Sequence, residues 1–346
     1  MDSIAKTTPK ERAEVFMAAS DKRQKIPAAI MEKDFWVCGA LKHIFTSVDV
    51  PLHLIFKGGT SLSKAFHIID RFSEDVDLSF DRRELGFDTK RDPEKAPSGK
   101  KQQALLDKLQ IECETVIRER FVPALLKNFE TILGPPKQGA GGWHIEIDPE
   151  DQQTVNFRYP PALASQGIAL PVYFPPAVCL ELGARSDSWP AKSHTIAPYA
   201  AELCPQMFKI ASCEVNTLEA VRTFWEKATL LHAAFHRTTP AVKSERLSRH
   251  YFDLYQFSKT NVAEEALKQL DLLERVVEHK MVFFRSAWAH YETAKPGSFH
   301  LLPPENRMAV LRQDYEQMKV MIFGEPQSWD EIIKGLRELE RRINVL

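Results

Sequence analysis

The chain has 346 residues, of which 44% are hydrophobic and 27% charged, and its formal net charge is −1. That composition supports one large or two ordinary globular domains and excludes a disordered chain or a strongly basic coat protein, leaving room for a local basic patch. The five cysteines (Cys38, Cys113, Cys179, Cys204, Cys213) form no CxxC pair, the first ten residues hold no apolar h-region, and no apolar run approaches a membrane span; a reduced, cytoplasmic protein without disulfides, structural zinc, secretion signal or membrane partner is expected.

In chain order, Ile30, Met31, Phe35, Cys38, Leu41 and Phe45 recur at helical spacing between Pro27 and Phe45. Leu52 to Phe56 is an apolar run that ends in Lys57-Gly58-Gly59, a strand entering a turn, after which Thr60 is expected to cap a helix carrying Leu62, Ala65 and Phe66. From Asp75 to Phe80 the residues alternate, with Val76, Leu78 and Phe80 facing one way and Asp75, Asp77 and Ser79 the other. Residues 82–100 read as a charged loop, 103–129 as a long helix, and 134–142 as a Pro/Gly-rich turn. Strands are expected at Trp143–Ile147, Thr154–Tyr159 and Ala177–Leu182, with helices from Thr217 to the end. The whole is α+β: a mixed-sheet core with N-terminal helices over 1–200 and an all-helical part over 201–346, the junction lying near 195–216.

Asp75 and Asp77 stand two apart on a strand, so both carboxylates project from one face. Such a pair repels unless a cation lies between, and Mg²⁺ (or Mn²⁺) takes one or two carboxylates together with substrate phosphates. The plainer alternative is the solvent-facing side of an edge strand. The Gly-Gly turn allows a backbone to approach phosphate closely, or is simply a tight turn. It is not a P-loop: that pattern, read from Gly58, needs Gly at Ser63 and Ser or Thr at Ala65. A kinase-like or ATPase role for Lys64 is correspondingly weak.

Five short strings carry a family resemblance. Lys57-Gly58-Gly59-Thr60-Ser61-Leu62-Ser63-Lys64, followed by Arg71-Phe72-Ser73-Glu74-Asp75-Val76-Asp77-Leu78, resembles the first motif of the AbiEii/MenT nucleotidyltransferases, toxins of bacterial toxin–antitoxin and phage-defence systems within the polymerase-β-like superfamily. Met31-Glu32-Lys33-Asp34-Phe35-Trp36 resembles that family's N-terminal helix. Fourteen residues separate Thr60 from Asp75, a slightly longer spacer than the superfamily pattern. Further on, Glu226-Lys227-Ala228-Thr229-Leu230-Leu231 and Ser248-Arg249-His250-Tyr251-Phe252-Asp253-Leu254 resemble the later motifs, with His250 where Asp is more usual. The resemblance spans roughly 28–80 and 177–255; the tail after Asn261 is unassigned by it.

The resemblance implies a polymerase-β-like core with its site in a cleft against the helical part. Asp75 and Asp77 would bind Mg²⁺, while Lys57, Gly58, Gly59, Thr60, Ser61, Arg71 and Ser73 would hold the nucleotide. Glu181, or another carboxylate, would act as general base or further metal ligand; its alternative is an outward-facing strand residue. Lys227 would bind the triphosphate, oriented by Asp253, or would form a structural salt bridge with it. Ser73 is also where an added phosphate would bring about −1.5 to −2 charge beside the carboxylates. Arg185 faces phosphate or solvent. His232 and His236 read as ordinary helix-face histidines, since Ala233 stands where HExxH requires Glu. Arg246, Arg249 and Lys259 form either an RNA-facing patch or, preferably, a solvated helix face. The implied partners are an NTP, an RNA acceptor (the 3′ end of tRNA) and a cognate antitoxin. The rivals are transfer to a protein or small molecule, and a non-catalytic module that binds nucleotide or antitoxin.

Overall fold

The computed structural model describes residues 1–23, 26–46, 53–139, 141–168, 175–237 and 246–346. Seven strands form one mixed sheet: β1 (Leu54–Lys57), β2 (Asp75–Phe80), β3 (His144–Ile147), β4 (Thr154–Arg158), β5 (Ala177–Gly183), β6 (Ala191–Ile196) and β7 (Cys213–Leu218), in the order β3-β4-β5-β2-β1-β7-β6. β2 runs parallel to β5, and β1 parallel to β7; the remaining pairs are antiparallel. With the helices that follow, this is the expected α+β architecture.

Alternation decides which face of the sheet is dry. Val76, Leu78 and Phe80 of β2 and Val178, Leu180 and Leu182 of β5 are buried, and the helix Ala28–Thr46 packs across β5 and β7. Its Phe35 and Trp36 join the aromatic core that includes Phe157 and Tyr159. The three charged residues of that helix's motif are also buried, and each holds something in place. Glu32 accepts from the backbone N–H groups of Ala162 and Leu163. Lys33 pairs with Glu74 at 2.8 Å, immediately before β2. Asp34 pairs with Lys64 at 2.9 Å and accepts from the Tyr199 N–H. Removing one partner from a buried pair costs about 3–5 kcal/mol, so this helix fixes both ends of the segment joining β1 to β2.

The structure departs from the sequence reading in several places. Thr60 is not a cap: the helix Gly58–Lys64 begins two residues earlier with Lys57 at its N-cap. Residues 93–95 form a short 3-10 turn within the expected loop, and the long helix starts at Gly99, running to Leu133 through a π-helical stretch at Ile117–Phe121. Of the apolar run expected as the first strand, Leu52 lies outside the described residues. β6 and β7 were not expected at all, and they extend the sheet beyond residue 200 to Leu218, where the helical part takes over at Ala220. β6 is a polar edge strand with little signal of its own. β7 is legible in the alternation of Cys213, Val215 and Thr217, all buried against Glu214 and Asn216.

Candidate active site

Strand register brings the acidic residues together. Asp77 lies opposite Glu181, Asp75 opposite Cys179, and Lys57 of β1 opposite Asp77. Directly opposed residues point to the same side of a sheet, so Lys57, Asp75, Asp77, Cys179 and Glu181 share the face turned away from the core. Ligand atoms of Asp75, Cys179 and Glu181 lie within 4.8 Å of one another. Asp77 stands just outside that group, with Oδ1 3.8 Å from the Lys57 ammonium. The carboxylate oxygens are hard donors of the kind a Mg²⁺ or Mn²⁺ ion takes, which the Cys179 thiol is not. Acid-base properties follow the crowding. Glu181 remains open to solvent along much of its length, yet enclosure by the cleft, then Asp77 and Asp75, push its carboxyl up to about 7. Burial, followed by Glu74 and Asp77, also raises Asp75 against the opposing pull of Arg249.

The turn between β1 and the Gly58–Lys64 helix is shaped around these carboxylates. Gly58 has φ +77°, and a β-carbon there would lie 1.9 Å from Asp77 Oδ2. At Gly59 a β-carbon would meet Ser73 Oγ at 2.8 Å. Thr60 donates its hydroxyl to the carbonyls of Ser73 and Asp75, pinning the start of β2, and Ser61 donates to the Gly58 carbonyl at 2.8 Å. Lys64 points away from the cleft into the pair with Asp34, 3.5 Å from the centre of the Tyr199 ring; its role is structural.

Opposite the carboxylates stands a group of cations. Arg71 grips Asp253 with two parallel bonds, Nε to Oδ1 at 2.8 Å and Nη2 to Oδ2 at 2.9 Å. Lys227 pairs with the same Oδ2 at 2.9 Å and lies 3.3 Å from His250 Nδ1. One carboxylate therefore serves two cations and leaves a net positive charge. Burial favours a neutral Asp253, but Arg71 and Lys227 outweigh it and hold the carboxyl well below its ordinary range. For Lys227 burial prevails over Asp253, and its pKa falls below the ordinary lysine value. For Lys57 burial is offset by Asp77, Glu226 and Glu181, and its pKa rises.

These residues line one cavity of about 300 Å³, which includes Lys57, Gly58, Gly59, Arg71, Ser73, Asp75, Asp77, Glu181 and Lys227. Thr60, Ser61 and Asp253 stand behind its wall. The sequence reading missed the opposite wall, which comes from the helices Ala220–His236 and Leu270–Phe283 and the segment after them: Arg222, Glu226, His279, Lys280, Phe284 and Tyr291. Lys280 donates to the Glu226 carbonyl at 2.8 Å and, among the described residues, has no carboxylate partner; burial lowers its pKa to about 8. Four of those six residues belong to the tail that the resemblance left unassigned.

Arg249 is not on a solvated helix face: it lines the cavity and reaches Asp75 Oδ2 at 3.3 Å. Arg246 pairs with Glu74 at 2.9 Å and lines a second cavity together with Arg249, whereas Lys259 is not in that lining and sits 3.9 Å from the centre of the Tyr255 ring. Arg185 donates to Gln110 at 3.0 Å. His232 is buried, with Nε2 near the His290 carbonyl and Thr293 Oγ1 and Nδ1 accepting from the His300 N–H; it is a core histidine rather than a helix-face one.

The sequence model of one family, described as "Nucleotidyl transferase AbiEii toxin, Type IV TA system", matches residues 40–335. Among solved structures, MenT4, nucleotidyltransferase toxin Rv2826c from Mycobacterium tuberculosis H37Rv, is similar at 16% identity and a TM-score of 0.43, over 97% of this chain and 98% of that one. No curated protein matches.

Proposed function

The chain belongs to the AbiEii nucleotidyltransferase toxin family of type IV toxin–antitoxin systems, and from that premise we propose that its cleft transfers a nucleoside monophosphate from an NTP to a hydroxyl of RNA, the 3′ end of tRNA. The observation that carries this reading is the register that sets Asp75, Asp77 and Glu181 on one sheet face beside the Gly58–Gly59 turn.

Asp75 and Asp77, with Glu181 alongside, would hold Mg²⁺ or Mn²⁺, which when bound neutralises charge on the triphosphate and in the transition state. Lys57, Arg71, Lys227 and Arg249 supply positive charge to the triphosphate from the chain itself, and the Gly58–Gly59 backbone makes room for it. The acceptor oxygen attacks the α-phosphorus in line, a bond to phosphorus forms as the bond to pyrophosphate breaks, and Glu181 takes the hydroxyl proton. Fixed charges in an enclosed cleft contribute most of the stabilisation in such transfers.

Two experiments test the reading. Labelled NTPs with Mg²⁺, offered to tRNA, total RNA and cell protein, should label RNA; label confined to protein or small molecules, or none, sinks it. Expression without the partner antitoxin should arrest bacterial growth, and an Asp77→Asn variant that is equally toxic would remove the catalytic account of toxicity.

A further inference from the structure

We propose that a lysine-lined groove outside the cleft is the docking track for the phosphate backbone of the RNA acceptor. This rests on the RNA-acceptor reading above. The groove, about 410 Å³, lies between the helix Gly99–Val116 and the loop before it, and carries Lys90, Lys101 and Lys108 over a floor that includes Ala96, Pro97 and Ala104. No acidic residue lines it. All three lysines are exposed, and among the described residues none is in an ion pair. With a net charge of −1 over the chain, general attraction cannot supply polyanion affinity, so a local track is required.

Arg285 lies between the groove's helix and the cleft. Phe284 lines the cavity, and the next residue, Arg285, lies so close to Gly99 that a β-carbon there would be 3.1 Å from its Nη1. Arg285 is exposed and bridges the cavity mouth to the first turn of the lysine-bearing helix. Lys100 and Lys101 occupy that first turn with no acidic residue beside them. Cations are disfavoured at the positive end of a helix dipole, a repulsion that a polyanion relieves. Lys101 and Lys108 are two turns apart, about 10 Å along the helix, which spreads the charge as a track rather than a point. Ala96, Pro97, Ala104 and Leu105 complete the lining, and the ammonium groups spaced along it match a run of phosphates, so the charge favours a nucleic-acid backbone.

The test is a Lys90→Glu/Lys101→Glu/Lys108→Glu variant, measured beside wild type by anisotropy of labelled tRNA across a salt series, by NTP titration, and by KM for tRNA. RNA affinity should fall about tenfold or more, and the slope of log K against log salt should flatten by about 2, while NTP affinity and thermal melting stay unchanged. If the variant labels RNA with the wild-type KM and salt slope, the track is overturned and the RNA reading stands. If wild type labels protein or small molecules but no RNA, the RNA reading falls and the track with it. Loss of antitoxin binding with RNA binding intact also overturns the proposal.

Discussion

Gly58 lies directly against Asp77: its backbone is left-handed, and a β-carbon would come within 1.9 Å of the carboxylate oxygen. Gly58→Ala therefore meets two penalties, a strained φ of about 1–3 kcal/mol and a forced displacement of Asp77. A shift near 1 Å at a reacting centre costs on the order of a hundredfold. Transfer should drop by about that factor while urea denaturation shows a loss of about 1–3 kcal/mol. Wild-type kcat/KM in Gly58→Ala would show that Asp77 need not stay where it is.

Asp77→Asn and Asp75→Ala should abolish transfer and leave the fold intact, because the packing of β2 is made by Val76, Leu78 and Phe80 on the other face. Relief of like-charge crowding at Glu181 is opposed by the loss of Asp77 to Lys57 or of Asp75 to Arg249, so the net change in stability should stay within about 1 kcal/mol. Transfer assays and thermal melts on the two variants check this; full activity of Asp77→Asn in Mg²⁺ removes Asp77 from the reaction.

Lys227 raises a sharper question, since its pair with Asp253 is what both a phosphate-binding and a purely structural lysine would make. Asp253 is already gripped by Arg71, so losing Lys227 does not leave that buried carboxylate unpaired. Lys227→Met should therefore fold with a stability loss under about 2 kcal/mol, yet lose NTP affinity and transfer together. Asp253→Asn is expected to be worse for folding, about 3–5 kcal/mol, because two buried cations lose their partner. Near-wild-type transfer by Lys227→Met would assign the lysine to structure alone.

What could be read in advance follows from how far each signal travels along the chain. The β2 alternation and the Gly-Gly turn are local patterns, and they led directly to Asp75, Asp77 and the turn that contacts them. Lys227 and Asp253 were named together because each lies in a string that carries the family resemblance. Arg249, by contrast, was misread as a solvated residue: nothing in its neighbours says that the helix Ser248–Phe257 brings it to Asp75. The same holds for Lys280, Phe284 and Tyr291, which reach the cavity only because the helix Leu270–Phe283 packs on Ala220–His236. Strand register is equally invisible in sequence, and it is the register that places Cys179 beside Asp75. β7 was different, a legible alternation passed over where a boundary had been drawn.

Lys280 gives a prediction in which the sign of a pH effect can be worked out. Its pKa is lowered from 10.5 to about 8, chiefly by burial, then by the cations Arg222, Lys227 and Lys57, with Glu226 opposing. Below pH 8 the lysine is charged in both folded and unfolded chains, and the fold carries the full cost of enclosing that charge. Between about 8 and 10.5 the folded protein releases the proton while the unfolded chain keeps it, so this contribution to stability rises with pH. Above 10.5 both forms are neutral and the cost is gone. At 1.36 kcal/mol per pH unit the span corresponds to roughly 3 kcal/mol at most, and water entering the cleft reduces it. Lys280→Met removes the buried charge and keeps the length of the side chain. The carbonyl it loses, that of Glu226, lies within the helix Ala220–His236. The variant should be more stable than wild type at pH 7 by about 1–3 kcal/mol, and the advantage should shrink as pH approaches 10. If the ammonium also serves the nucleotide, NTP affinity should fall at pH 7, and in wild type it should weaken as pH passes 8. Urea denaturation of both proteins at pH 7 and pH 9.5, with NTP titrations alongside, measures each part. Parallel stability profiles for the two proteins would mean that the Lys280 ammonium is not the costly buried charge described here.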